Sequence, residues 1–99
     1  MSTKVITVTA SFQAKPGEEK ALRELLTALV EPTRKEDGCL EYDLHVSSDN
    51  PAKFLFHENW VSKAHLDAHA ASPQLQALPP KLEGLCVNHP EITLWEKIA

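Results

Sequence analysis

Two side chains sit where their chemistry is out of place. Glu58 alternates with Phe54, Phe56 and Trp60, so a strand there puts a carboxylate on a face with three aromatics. Such a group must be paired, hydrogen-bonded or neutralised. His69 follows Leu66 on a helical stretch whose apolar side also holds Ala70 and Pro73. Helix geometry places His69 about 60° from Leu66 and His65 about 100° away. His69 therefore turns inward and His65 stays at the margin. An inward imidazole is either a core histidine satisfied by a carbonyl or carboxylate, or a general base or substrate hydrogen-bonder, because it titrates near neutrality. If Phe54 and Trp60 face the helices, Glu58 and His69 meet in one cavity, and the carboxylate orients the imidazole and strengthens it as a base. The competing reading of Glu58 is an edge ion pair with Lys97 or Arg34. Tyr42 either donates to a ligand oxygen from the same face or is core with its hydroxyl at the rim. Trp60 either stacks a flat ligand or simply packs. His65 and His69 are also four apart, a spacing that binds metals when His45, His57 or Glu58 completes the set. A lone pair at that spacing is common in helices, and no metal is expected.

The elements that must position these groups follow from periodicity. Lys4 to Phe12 alternates as a strand. Lys15-Pro16-Gly17 and the acidic pair Glu18-Glu19 open a helix, whose stripe is Leu22, Leu25, Leu26, Leu29 and Val30. Pro32 should kink or end it. Cys39 to Val46 is a second strand with Leu40, Tyr42, Leu44 and Val46 on one face. Lys53 to Trp60 is a third. Ser62 caps a second helix, from about Lys63 to Ala71. A further helical piece carries Leu75, Leu78 and Leu82 and is crossed by Pro79-Pro80. Glu91 to Ile98 is the last strand. The order β-α-β-β-α-β is the ferredoxin-like arrangement, an α+β fold with an antiparallel sheet and helices on one face. An apolar sheet back on so small a chain would not stay wet, which implies a homodimer through the open face.

Composition narrows the function. The 99 residues make one domain, residues 1–99. The net charge is −4, and no basic cluster exceeds Arg34-Lys35, so no nucleic-acid partner is expected. No apolar run is long enough to span a membrane, and no export signal is visible. The two cysteines, Cys39 and Cys86, then read as reduced thiols in a cytoplasmic protein. With only three glycines, there is no nucleotide-binding loop and no nucleophile elbow.

The stretch from Phe56 through Glu58-Asn59-Trp60 and Leu66-Asp67-Ala68-His69 to Ser72-Pro73 resembles the antibiotic biosynthesis monooxygenase (ABM) family. Lys15-Pro16-Gly17 and Glu36-Asp37-Gly38-Cys39-Leu40-Glu41-Tyr42 are similar to further motifs of that family, in order and at the right spacing. The resemblance implies a dimeric α+β barrel with a pocket between each subunit's sheet and helices. It also implies a quinol-type monooxygenase that uses no flavin, haem or metal. A phenol or quinol is deprotonated, the anion reduces O₂, and a peroxy species collapses to a quinone. Carried onto this chain, His69 is the base or its relay and Glu58 its orienter. Tyr42 donates to the substrate oxygen, Trp60 forms a pocket wall, and Phe56 and Leu66 join them as substrate-binding residues. The Asn/Trp/His set of haem-degrading relatives has no counterpart. Thr7 and Thr9 stand where the asparagine would be, and the Leu75–Leu78 region has no histidine.

Two other functions use the same groups. One is an isomerase of this fold that works without O₂. The other is a non-catalytic domain that binds a small apolar molecule. Base, pocket and aromatic wall serve all three.

Overall fold

Alternation decides the sheet. In the computed structural model, which describes residues 4–99, β1 (Ile6–Gln13) buries Val8, Ala10 and Phe12 on one face. Strand β3 (Lys53–Trp60) does the same with Phe54, Phe56, Glu58 and Trp60. With β2 (Cys39–Val46) and β4 (Glu91–Trp95) they form one antiparallel sheet in the order β2-β3-β1-β4. The helices α1 (Glu19–Thr27), α2 (Val30–Arg34), α3 (Lys63–Ala70), α4 (Pro73–Gln76) and α5 (Leu78–Glu83) supply the other wall of the core. Leu22, Leu26, Leu29, Leu66, Leu78 and Leu82 pack from them onto the aromatic face of the sheet. This is the ferredoxin-like fold expected from the order of elements.

The departures have local causes. The first helix breaks between Thr27 and Val30, ahead of Pro32 rather than at it. Proline has no N–H for the Ala28 carbonyl, so the chain tightens one turn earlier, with Leu29 N–H donating to Leu26 O. Leu40 does not share a face with Tyr42. A bulge between Cys39 and Glu41 turns Leu40 outward, 53% exposed, while Cys39 takes the inward place opposite Trp60 and Tyr42 stays buried. Pro79 and Pro80 lie in the first turn of α5, where a missing N–H is harmless. The last strand stops at Trp95 instead of Ile98.

The back of the sheet is not the apolar face expected. Thr7, Thr9 and Ser11 run down its middle, flanked by Asn59, His57 and Leu55 on β3 and by Trp95, Thr93 and Glu91 on β4. Their polar atoms pair across strands: Thr7 Oγ1 donates to Asn59 Oδ1 at 2.6 Å, and Trp95 Nε1 donates to Thr9 Oγ1 at 2.9 Å. Apolar surface is exposed instead on β4, at Ile92, Leu94 and Trp95.

One glycine fixes the geometry around the site. Gly38, at φ +82°, sits under the His65 ring, and its carbonyl accepts from Val61 N–H at 2.9 Å. A Cβ at this position would lie 2.3 Å from His65 Cδ2 and Cγ. The close approach docks the turn between α2 and β2 onto the corner between β3 and α3. Gly38→Ala adds left-handed strain to a steric clash and should cost about 2–4 kcal/mol in urea unfolding. Gly84→Ala is the control: its backbone is helical, nothing lies within 4 Å, and its effect should be neutral or slightly stabilising.

Candidate active site

The Ser62 side chain caps α3 by accepting from His65 N–H, which fixes where the helix starts on leaving β3. From that start Leu66 and His69, three residues apart, both face the sheet and are buried. His65 remains at the margin as expected, with Nδ1 2.7 Å from Ser62 Oγ and Nε2 3.4 Å from the Asp37 carboxylate. The two histidines thus turn to different partners. Among the described residues no group of three or more His, Cys, Asp or Glu side chains could hold a metal ion.

His69 is 4% exposed. Its orienter is Glu36 and not Glu58. Glu36, in the turn that Gly38 docks, places Oε1 at 3.0 Å and Oε2 at 3.1 Å from His69 Nδ1. A carboxylate only accepts, so Nδ1 carries the proton and donates. The carboxylate is itself held by Gln74 on α4, whose Nε2 donates to Glu36 Oε2 at 3.1 Å and to Thr33 Oγ1 at 3.2 Å. Nε2 of His69 has no protein partner among the described residues, which leaves it an acceptor for a bound molecule. Glu36→Gln keeps the shape but loses the charge that selects this tautomer. Turnover should fall about 10–100-fold with little change in substrate affinity, read as kcat against KM.

His69 lines a cavity of about 310 Å³ between sheet and helices, within the range of small-molecule sites. Its floor is Val8, Ala10 and Phe12 from β1 with Tyr42, Phe56 and Glu58 from β2 and β3. Leu29, Leu66, Ala70, Leu75 and Leu78 close it from the helices, while Lys63, Asp67, Ile92 and Leu94 form its rim. The sequence expectation that Glu58 and His69 share one cavity is met. So is the placing of Tyr42, Phe56 and Leu66 on its wall.

Trp60 departs from expectation. It is fully buried and does not line the cavity. It lies behind His69 with ring centroids 4.6 Å apart, and its Nε1 donates to Glu58 Oε1 at 2.9 Å. Glu58 has no ion pair with Lys97 or Arg34. Arg34 instead binds Glu31, Asp43 and the Tyr42 carbonyl. Burial pushes the Glu58 carboxyl above its ordinary range, and the Trp60 N–H and nearby His69 oppose that rise. Tyr42 stacks on Phe56 at 4.5 Å and meets His69 edge-on at 5.6 Å. Burial and the neighbouring Glu58 raise its phenol well above the usual value, against the opposing effect of a hydrogen bond with Thr33, so it stays protonated.

A small apolar cavity holding one oriented imidazole, one buried carboxyl and one phenol can support acid–base chemistry on a largely apolar molecule. Residues 5–79 match the antibiotic biosynthesis monooxygenase family, and the chain belongs to it. Rv0793 of Mycobacterium tuberculosis, provisionally named a monooxygenase, is 45% identical over 71 residues, spanning 72% of this chain and 69% of that protein. PA3566 from Pseudomonas aeruginosa has the same fold at a TM-score of 0.92 and 32% identity, covering 100% of this chain and 99% of that one. YgiN of Escherichia coli, provisionally named a quinol monooxygenase, is 28% identical over 90 residues, covering 81% of this chain and 86% of that protein.

Proposed function

We propose that this chain is a cofactor-independent monooxygenase that oxidises a small aromatic phenol or quinol with O₂. The observation that carries the reading is the His69 imidazole, held at Nδ1 by Glu36 and open at Nε2, on the wall of the apolar cavity. Nε2 takes the phenolic proton. The aryloxide is electron-rich enough to reduce O₂, and the apolar walls keep bulk water from the peroxy species. Tyr42 steadies the developing oxyanion as a neutral donor.

Exposed Ile92, Leu94 and Trp95 support action as a homodimer, with a second copy covering β4. The two free thiols support a reducing, cytoplasmic setting. Among the described residues no helix is long and apolar enough to cross a membrane.

The test is oxygen uptake by chelator-treated protein over a panel of quinols and polycyclic phenols, with autoxidation subtracted. Isotopically labelled O₂ should leave one labelled atom in the quinone product. Turnover that proceeds equally well without O₂ would overturn the reading in favour of an isomerase. Binding without turnover under either atmosphere would overturn it in favour of a binding domain.

A further inference from the structure

The chemistry proposed above needs a proton donor as well as a base, and the cavity holds a second titratable group that the base does not use. Glu58 lines the cavity; its Oε1 accepts from the Trp60 indole N–H, and Oε2 has no hydrogen-bond partner among the described residues. Among the described residues no lysine or arginine forms an ion pair with this carboxyl. Its surroundings are Tyr42 directly opposite on β2, Val8 on β1, His57 beside it on β3 and His69 on α3. Glu36 stands behind His69, and the Lys63–Asp67 ion pair sits at the rim. His69 is committed to Glu36, so Glu58 is free of the orienting role.

We infer that Glu58 is the general acid of the site, delivering a proton from Oε2 to the peroxide that forms on the substrate ring, while His69 serves as the base. The inference rests on the monooxygenase reading. His69 Nε2 takes the phenolic proton, and the aryloxide passes one electron to O₂. The aryloxyl radical and superoxide join at a ring carbon, forming a C–O bond and a peroxide anion. Glu58 protonates the outer oxygen. The resulting carboxylate then removes the C–H proton of that same carbon as the O–O bond breaks. The carbon becomes a carbonyl, and hydroxide leaves and takes its proton from the His69 imidazolium. The sum is a phenol plus O₂ giving a quinone plus water. Four electrons pass from substrate to O₂, and both side chains return to their starting states. Burial, which holds the Glu58 carboxyl toward its neutral form, favours its entering the cycle as the acid.

Two measurements on Glu58→Gln and Glu58→Asp test it. In the first, para-nitrophenol is titrated into the protein without oxygen, and its ionised band reports the base. Glu58→Gln should give the wild-type band, showing that the cavity and His69 survive. In the second, oxygen uptake with naphthohydroquinone is followed across pH. Glu58→Gln should lose about 10–100-fold and the alkaline limb of the profile, because no acid remains to be deprotonated. Glu58→Asp should restore part of the rate and the limb. A Glu58→Gln protein that ionises the probe and consumes oxygen within about threefold of wild type, alkaline limb included, overturns the assignment. A wild-type protein that ionises the probe but consumes no oxygen above autoxidation overturns the monooxygenase reading itself, and the acid role falls with it.

Discussion

His69→Ala is expected to lower oxygen-dependent quinol turnover by about 10³-fold, within the range that a positioned general base supplies. Most of the loss should appear in kcat. The cavity is mainly apolar and keeps Phe56, Leu66 and Tyr42 on its wall, so the ring of the substrate still has its contacts. Para-nitrophenol should bind without ionising. Added imidazole should recover part of the rate, because removing the ring opens a space of its own shape next to Glu36. A variant that kept more than about a tenth of the wild-type rate would assign His69 to packing. Stability should fall only modestly, by about 1–2 kcal/mol, from the lost ring contact with Trp60 and the loss of one of the two donors to Glu36.

The position of His69 was legible because it depends only on local rules. Ser62 sets the start of α3, and seven residues later the 3.6-residue period turns the imidazole inward. The inward carboxyl of Glu58 was legible for the same reason, since a strand alternates strictly. What joins the site across the chain was not legible. Glu36 lies 33 residues from His69, and its pairing requires the turn at Gly38 to dock under His65. The nearest signal was that Glu36 opens the motif running to Tyr42, but a motif does not name a partner. Thr33 and Gln74 were hidden likewise, each polar residue reaching the site from a different short helix. The inward side of β2 was misread at Leu40 because a bulge shifts the alternation by one without any marker residue. The sheet back is more polar than expected because Thr7, Thr9 and Ser11 run down its middle, a register that alternation alone does not specify.

Trp60 ties the fold to the chemistry, and Trp60→Ala should be the most destabilising single change in the core. The side chain is fully buried, supports the His69 ring and satisfies one oxygen of Glu58. Truncating a buried aromatic of this size costs about 3–5 kcal/mol, and here the variant also leaves a buried carboxyl without its donor. Trp60→Phe separates the two contributions. It keeps most of the packing but removes the indole N–H, one of the influences that hold the Glu58 carboxyl down. Its carboxyl should therefore rise further above the ordinary value. The sign for stability follows from linkage. A carboxyl raised on folding binds its proton more tightly in the native state. Its contribution is fully present below the unfolded value and is lost as pH climbs through the folded one. Urea midpoints of the wild-type protein should thus decline as pH rises from the ordinary carboxylate range. In Trp60→Phe the decline should be larger and extend to higher pH. Adding Glu58→Gln should flatten it in both backgrounds. An unchanged slope in Trp60→Phe would mean that the indole does not hold the carboxyl in solution, and the acid at position 58 would then need another source of control.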